Sequence, residues 1–193
     1  AWLSYVGENY LVSGTMPQRL GSQHPNIMPY QVFRASDGLM VLAVGNDAQF
    51  TRFCEFAGCP DLAADERYTT NARRVKNRDG LTPVLADIIA SKSIAHWVEG
   101  LVGVNVPCSP INTIDQVFND PQVVARKMKI NMPHPHLSVE TMDLIASPLR
   151  LSRSPVSYRQ APPQLGEHTA EVLEELLEMD EKKMAALREK GVI

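Results

Sequence analysis

No run of the 193 residues approaches the 18 consecutive apolar side chains that a membrane-spanning helix requires. The first residues also lack the basic-then-apolar order of a secretory leader. Cysteine is scarce: Cys54, Cys59 and Cys108 are odd in number, and a lone C-x4-C pair has no second pair to complete a zinc site. That excludes a disulfide framework, and reduced thiols in a cytoplasmic protein are expected. A cationic surplus is missing as well. With 19 Lys and Arg against 22 Asp and Glu, the net charge is -3, which argues against a nucleic-acid binder. At 44% hydrophobic and 21% charged residues the chain is no disordered tail. Its length suits one domain, or one and a half.

What is present reads as elements of α and β type. Leu3, Val6 and Tyr10, with Trp2, repeat at helical spacing from the first residues, with no cap and no initiator Met before them; the chain is expected to begin inside a larger protein. Residues 15–29 are rich in Pro, Gly, Ser and Asn and predict a connecting loop. Runs 30–34 and 39–45 flank Ser36-Asp37-Gly38 and predict a hairpin whose turn uses residues that tolerate positive φ.

Asn46 with Gln49 forms a capping-box pattern ahead of Phe50, Phe53, Cys54 and Ala57 at i, i+3, i+4 and i+7. Leu81, Val84, Leu85, Ile88 and Ile89 predict a further helix, which requires Pro83 to lie in its first turn. Ser93 caps another that is buried through Trp97 and Leu101, and Thr113 and Asp120 cap two short ones. Extended runs are expected at 128–133 and 139–146, a proline-rich linker at 148–163, and then helices carrying a stripe of Val172, Leu173, Leu176 and Leu177.

Several residues invite chemical roles and have plainer alternatives. Cys108 lies between Pro107 and Pro110 in what reads as a rigid bend over 106–112; no local imidazole or helix N-terminus lowers its pKa, so a structural role is expected. His134 and His136 share a face two residues apart, yet lack a third ligand, so no metal is expected. His96 and His168 read as ordinary helix histidines. Arg73, Arg74 and Arg78 could bind a carboxylate, but a solvated helix face is the expectation.

Taken in order, HPNIMPYQVFRASDGLMVLAVGNDAQFTRFCEFAG, RYTTNARRVKNRDGL, VPCSPINTIDQVFNDPQVVARKM and APPQLGEHTAEVL with the closing GVI resemble the C-terminal half of the class III CoA-transferases. This CaiB/BaiF family includes formyl-CoA transferase, dicarboxylate CoA-transferases and α-methylacyl-CoA racemase. The likeness covers essentially the whole chain. It implies an α/β protein whose small α+β domain is a short antiparallel sheet with surrounding helices, within an interlocked dimer. Residues 1–29 would be a helix and connecting loop from the large domain, 30–150 the small domain, and 151–193 a linker and helices returning to the large domain.

Coenzyme A enters, by the resemblance, as a thioester substrate beside a carboxylic acid, with no covalently bound cofactor, no metal, no membrane and no nucleic acid. The family's nucleophilic aspartate lies upstream of Ala1, so no catalytic residue maps onto this sequence, and Asp37 and Asp47 keep structural readings. In formyl-CoA transferases a glycine-rich loop ahead of the first small-domain strand closes over the reacting carboxylate. The matching stretch here is Gly21, Ser22, Gln23, His24, Pro25 and Asn26, with one glycine and a stiffening proline. Its HPNI form resembles the branch acting on larger dicarboxylates or carnitine-like acids. Gly21, Ser22, Gln23, His24 and Asn26 are therefore the candidate cleft residues. A racemase-type isomerase, or a non-catalytic CoA-binding or interaction module, are the alternatives.

Overall fold

The computed structural model describes residues 3–134 and 140–193, and the chain divides into two compact units, Ala1–Asn112 and Thr113–Ile193. Trp2, His136 and Val139, which figure in the sequence analysis, lie outside the described residues.

The first unit opens with helix α1 (Ser4–Ser13), closed by Gly14 in the left-handed conformation. After an irregular stretch come strands β1 (Tyr30–Ala35) and β2 (Gly38–Ala43), antiparallel with Val32 opposite Val41 and Ala35 opposite Gly38. This is the expected hairpin, but its glycine is there for a different reason. Gly38 has no positive φ; a Cβ there would stand 3.0 Å from Ile94 Cδ1, so the glycine admits a close neighbour.

Helix α2 (Asp47–Phe56) is capped by Asn46, whose side chain accepts from Gln49 N, and Gln49 reaches back to Gly45 N. Short helices α3 (Pro60–Ala64) and α4 (Asn71–Lys76) lead into α5 (Arg78–Ala90). Pro83 sits well inside α5, deeper than its missing N–H favours. Leu81, Leu85 and Ile89 are all buried on the same helix, and that burial, roughly 1.5–3 kcal/mol per side chain, outweighs one absent backbone bond.

Helix α6 (Ile94–Gly103), capped by Ser93, precedes β3 (Cys108–Pro110). Here the expected bend is a strand: β3 pairs antiparallel with β2, Leu42 opposite Cys108, giving the order β1-β2-β3. Proline removes only the donor, so Pro107 still accepts from Ala43 N at 2.9 Å. One core joins Phe33, Met40 and Leu42 from the sheet to Phe50, Phe53 and Cys54 of α2, Leu81, Leu85 and Ile89 of α5, and Trp97 and Leu101 of α6. Trp97 satisfies its indole N–H on Ile89 O at 2.8 Å, as a buried donor must.

The second unit begins with α7 (Ile114–Asn119), bearing a capping box of Thr113 and Gln116, and α8 (Pro121–Ala125), capped by Asp120. Strands β4 (Lys129–Pro133) and β5 (Thr141–Ile145) form a two-stranded antiparallel sheet with Asn131 opposite Asp143. The proline-rich stretch after them is irregular, anchored where Ser147 N donates to the Tyr158 hydroxyl at 2.6 Å. Helices α9 (Thr169–Leu177) and α10 (Glu181–Glu189), the latter capped by Asp180, end the chain. Val172, Leu176 and Leu177 of α9 are exposed.

Candidate functional site

The stretch from Gly21 to Asn26 is an ordered loop in the first unit, and its shape follows from a few specific bonds. Gly21 adopts φ +61, with nothing within 4 Å of a would-be Cβ, so the glycine is needed for backbone conformation rather than for space. Ser22 Oγ accepts from Val32 N at 3.2 Å and so occupies a donor of the edge strand β1. His24 N donates to Tyr30 O at 2.9 Å, which holds the loop alongside the start of that strand.

The His24 ring lies between two tyrosines, with centroids 4.8 Å from Tyr5 and 5.3 Å from Tyr30 and interplanar angles of 24° and 15°. Its Nδ1 accepts from Asn26 N at 3.1 Å, so the neutral ring carries its proton on Nε2. Burial, and then the positive charge of Arg78, hold its pKa below the ordinary value. Asn26 exchanges two amide bonds with Asn9 of α1, at 2.9 and 3.1 Å. Loop and α1 are thus joined by one aromatic stack and one amide pair.

From the other side Asn71 and Arg78 of the RYTTNARRVKNR block grip the loop, and Arg74 of the same block holds Met28 just beyond it. Asn71 Nδ2 donates to Asn26 O at 2.8 Å, while its Oδ1 accepts from Met28 N at 3.0 Å. Arg74 donates to Met28 O at 2.7 Å and to Tyr68 O at 2.9 Å, and its Nη2 lies 2.8 Å from Asp47 Oδ1. Arg78 donates to Gln23 Oε1, His24 O and Pro25 O at 3.3, 2.7 and 3.2 Å.

The expectation of a solvated face therefore holds only for Arg73, which is exposed; Arg74 and Arg78 are buried. The three arginines are alike as residue types, and what turns two of them inward is the set of distant carbonyl oxygens they meet.

Between α1 and this loop lies an open cavity of about 800 Å³, whose walls include Tyr5, Asn9 and Val12 together with Gly21, Gln23, Asn26 and Arg78. Three of the five candidate residues line it. Ser22 and His24 instead hold the loop in shape. The arrangement is a concave, largely apolar site with a few convergent polar groups, as small-molecule sites are.

The other chemically suggestive residues have structural partners. Asp37 accepts from Ile94 N at 2.8 Å at the start of α6, and Asp47 is engaged by Arg74 and by Asn71 N. Cys108 Sγ lies 3.9 Å from Trp97 O and 4.0 Å from Val98 O, and burial pushes its thiol pKa up, the opposite of what a thiolate nucleophile needs. The Cys59 thiol beside Cys54, and then burial, push its pKa up as well. His168 Nδ1 is 3.0 Å from Glu171 Oε2. Among the described residues no group of three or more His, Cys, Asp or Glu could hold a metal ion, and no helix is long and apolar enough to cross a membrane.

Comparison with known proteins gives one consistent answer. The family model for CoA-transferase family III matches residues 1–169. The succinate–glutarate CoA-transferase of Agrobacterium fabrum is 39% identical over 176 residues, 91% of this chain and 44% of that protein. Human succinyl-CoA:glutarate CoA-transferase is 34% identical over 193 residues, 100% of this chain and 44% of that protein. A crystal structure of a CaiB/BaiF family protein from Brucella suis aligns with a TM-score of 0.71 at 39% identity, covering 90% of this chain and 44% of that one. The chain thus spans about 44% of the length of these relatives, and it belongs to CoA-transferase family III.

Proposed function

We propose that the full-length protein containing this chain moves coenzyme A from an acyl-CoA thioester to a carboxylic acid, and that these 193 residues supply the part covering the reacting groups. The observation that carries this is the loop Gly21–Asn26, held on one side by α1 and on the other by Asn71 and Arg78 at the wall of the cavity. A loop so tied presents its backbone without having to reorganise, which is what electrostatic stabilisation and positioning require. The names of the relatives, including a succinyl-CoA:mesaconate CoA-transferase from Haloarcula hispanica at 33% identity, support transfer rather than racemisation. They also favour a dicarboxylic acid as acceptor.

In the reaction, an aspartate from outside these residues attacks the thioester carbonyl, and the C–S bond breaks to release the CoA thiolate and leave a mixed anhydride. The thiolate then attacks the aspartyl carbonyl of that anhydride, freeing the first acid as its carboxylate. The incoming carboxylate attacks the aspartyl carbonyl of the resulting enzyme thioester, whose C–S bond breaks to expel the CoA thiolate and leave a second anhydride; the thiolate then attacks the new acyl carbonyl, giving the product CoA thioester and regenerating the aspartate carboxylate. The chain alone therefore does not turn over.

A cytoplasmic location, an assembly of identical chains, and a division into a connecting segment 1–29, a small domain 30–150 and a returning segment 151–193 complete the proposal. Exposed apolar side chains at Leu11 and Val12, and separately at Leu176 and Leu177, support burial of both terminal helices in the full-length assembly. The test is exchange by the full-length protein: glutaryl-CoA should form from succinyl-CoA and glutarate in step with succinate release. Hydrolysis without glutaryl-CoA would reject the proposal.

A further inference from the structure

Arg78 is buried, with 8% of its surface exposed, yet among the described residues no carboxylate pairs with it. Its partners are one amide oxygen and two backbone carbonyls. Arg74, one turn earlier, shows the contrast: its side chain is fully buried and has Asp47 at 2.8 Å. A desolvated cation is costly unless its charge is met. Asp79 is near enough to act on Arg78 through space, but burial is the larger influence on its guanidinium.

Three of the five guanidinium N–H donors are engaged, leaving Nε–H and one Nη1–H. The side chain also forms part of the wall of the 800 Å³ cavity. The loop carbonyls hold the guanidinium in place, and the remaining donors have no partner among the described residues. The facing helix brings Glu8 to the same cavity, so an anion is admitted at the Arg78 end and disfavoured towards α1.

We propose that Arg78 is a substrate-binding and specificity-determining residue, which receives a carboxylate of the acid substrate that is not the one joined to CoA. The substrate would then be a dicarboxylic acid, with one carboxylate exchanged and the other read by the guanidinium. This rests on the transferase reading of the same site. The free Nε–H and Nη1–H lie on different edges of the guanidinium, so one of them gives a carboxylate oxygen a single charge-assisted bond, and a monocarboxylic acid lacking that group would leave the charge unmet.

The experiment measures equilibrium binding of glutarate and butyrate to the full-length protein by calorimetry, and turnover of both acids with succinyl-CoA, in wild type, Arg78→Gln and Arg78→Lys. Wild type should bind glutarate at least about tenfold more tightly than butyrate, since one charge-assisted contact is worth that much. Arg78→Gln also loosens the loop and lowers turnover of both acids, but it should abolish the preference. Arg78→Lys, which keeps the charge, should restore part of it. Equal binding of both acids by wild type overturns the proposal, and so does an equal loss for both acids in Arg78→Gln, which would mark a loop clamp only. Arg78-dependent glutarate binding without CoA exchange would leave the anion site standing and reject the transferase reading instead.

Discussion

Asp47 Oδ1 lies 2.8 Å from Nη2 of Arg74, a pair in which the arginine side chain is fully buried and the aspartate half exposed. The same guanidinium sits 4.4 Å from the centre of the Phe50 ring and donates to Met28 O and Tyr68 O. One side chain thus fastens the start of α2, the segment before α4 and Met28, just beyond the cleft loop. Arg74→Met should destabilise the protein by about 2–6 kcal/mol, because it leaves the Met28 and Tyr68 carbonyls without their donor at about 1–3 kcal/mol each. Asp47→Asn should cost less, about 1–3 kcal/mol. Lys129→Met, at an exposed pair with Asp143, should cost under about 1 kcal/mol. Urea unfolding of the three variants measures this, and an Arg74→Met loss no larger than that of Lys129→Met would refute the anchoring role.

The His24 ring gives a pH dependence with a definite sign. Its folded pKa lies below the ordinary 6.5 because of burial and then Arg78, so the folded state resists the proton that the unfolded chain accepts. Its contribution is complete above about pH 6.5 and fades as pH falls through the lowered folded value. Protonation also removes the Nδ1 acceptor used by Asn26 N. Proton NMR should follow the His24 ring titrating below 6.5, together with a shift of the Asn26 amide. A titration above 6.5 would contradict the stacked, partly desolvated ring.

Cys108 is a packing residue of β3, so Cys108→Ala in the full-length protein should leave the exchange rate within a few fold. Loss of several orders of magnitude would restore a chemical role for the thiol.

Much of the fold was legible because its signals are local. The β1–β2 hairpin, the caps at Asn46, Ser93, Thr113 and Asp120, and the buried stripes of α2, α5 and α6 each follow from residues within a few positions of one another. What failed depends on distant partners. Residues 108–110 became a strand because the edge of β2 was available, although the prolines alone suggested a bend. Gly38 is set by Ile94, far along the chain. The loop Gly21–Asn26 was found through family resemblance, whereas its grip by Asn71 and Arg78 spans 45 to 55 residues of sequence, and no local pattern states which arginine turns inward.

The terminal helices carry a further expectation. Leu11 and Val12 of α1 are 77% and 79% exposed, and Leu176 and Leu177 of α9 are 71% and 60% exposed. Expressed alone, the 193 residues should therefore either self-associate through residues 1–14 and 165–190 or leave those ends open to rapid amide exchange. Light scattering that gives a strict monomer, with slow exchange at both ends, would contradict this.

The central claim is that the Gly21–Asn26 loop acts by position over the reacting groups, and the most direct measurement is the exchange rate of Gly21→Val in the full-length protein beside its melting temperature. At φ +61 a β-branched residue is strained, although space is open around it. The loop should therefore shift while the core of the first unit stays intact. The account predicts a fall in kcat of about tenfold or more, with the melting temperature lowered by only a few degrees. An unchanged kcat would contradict it.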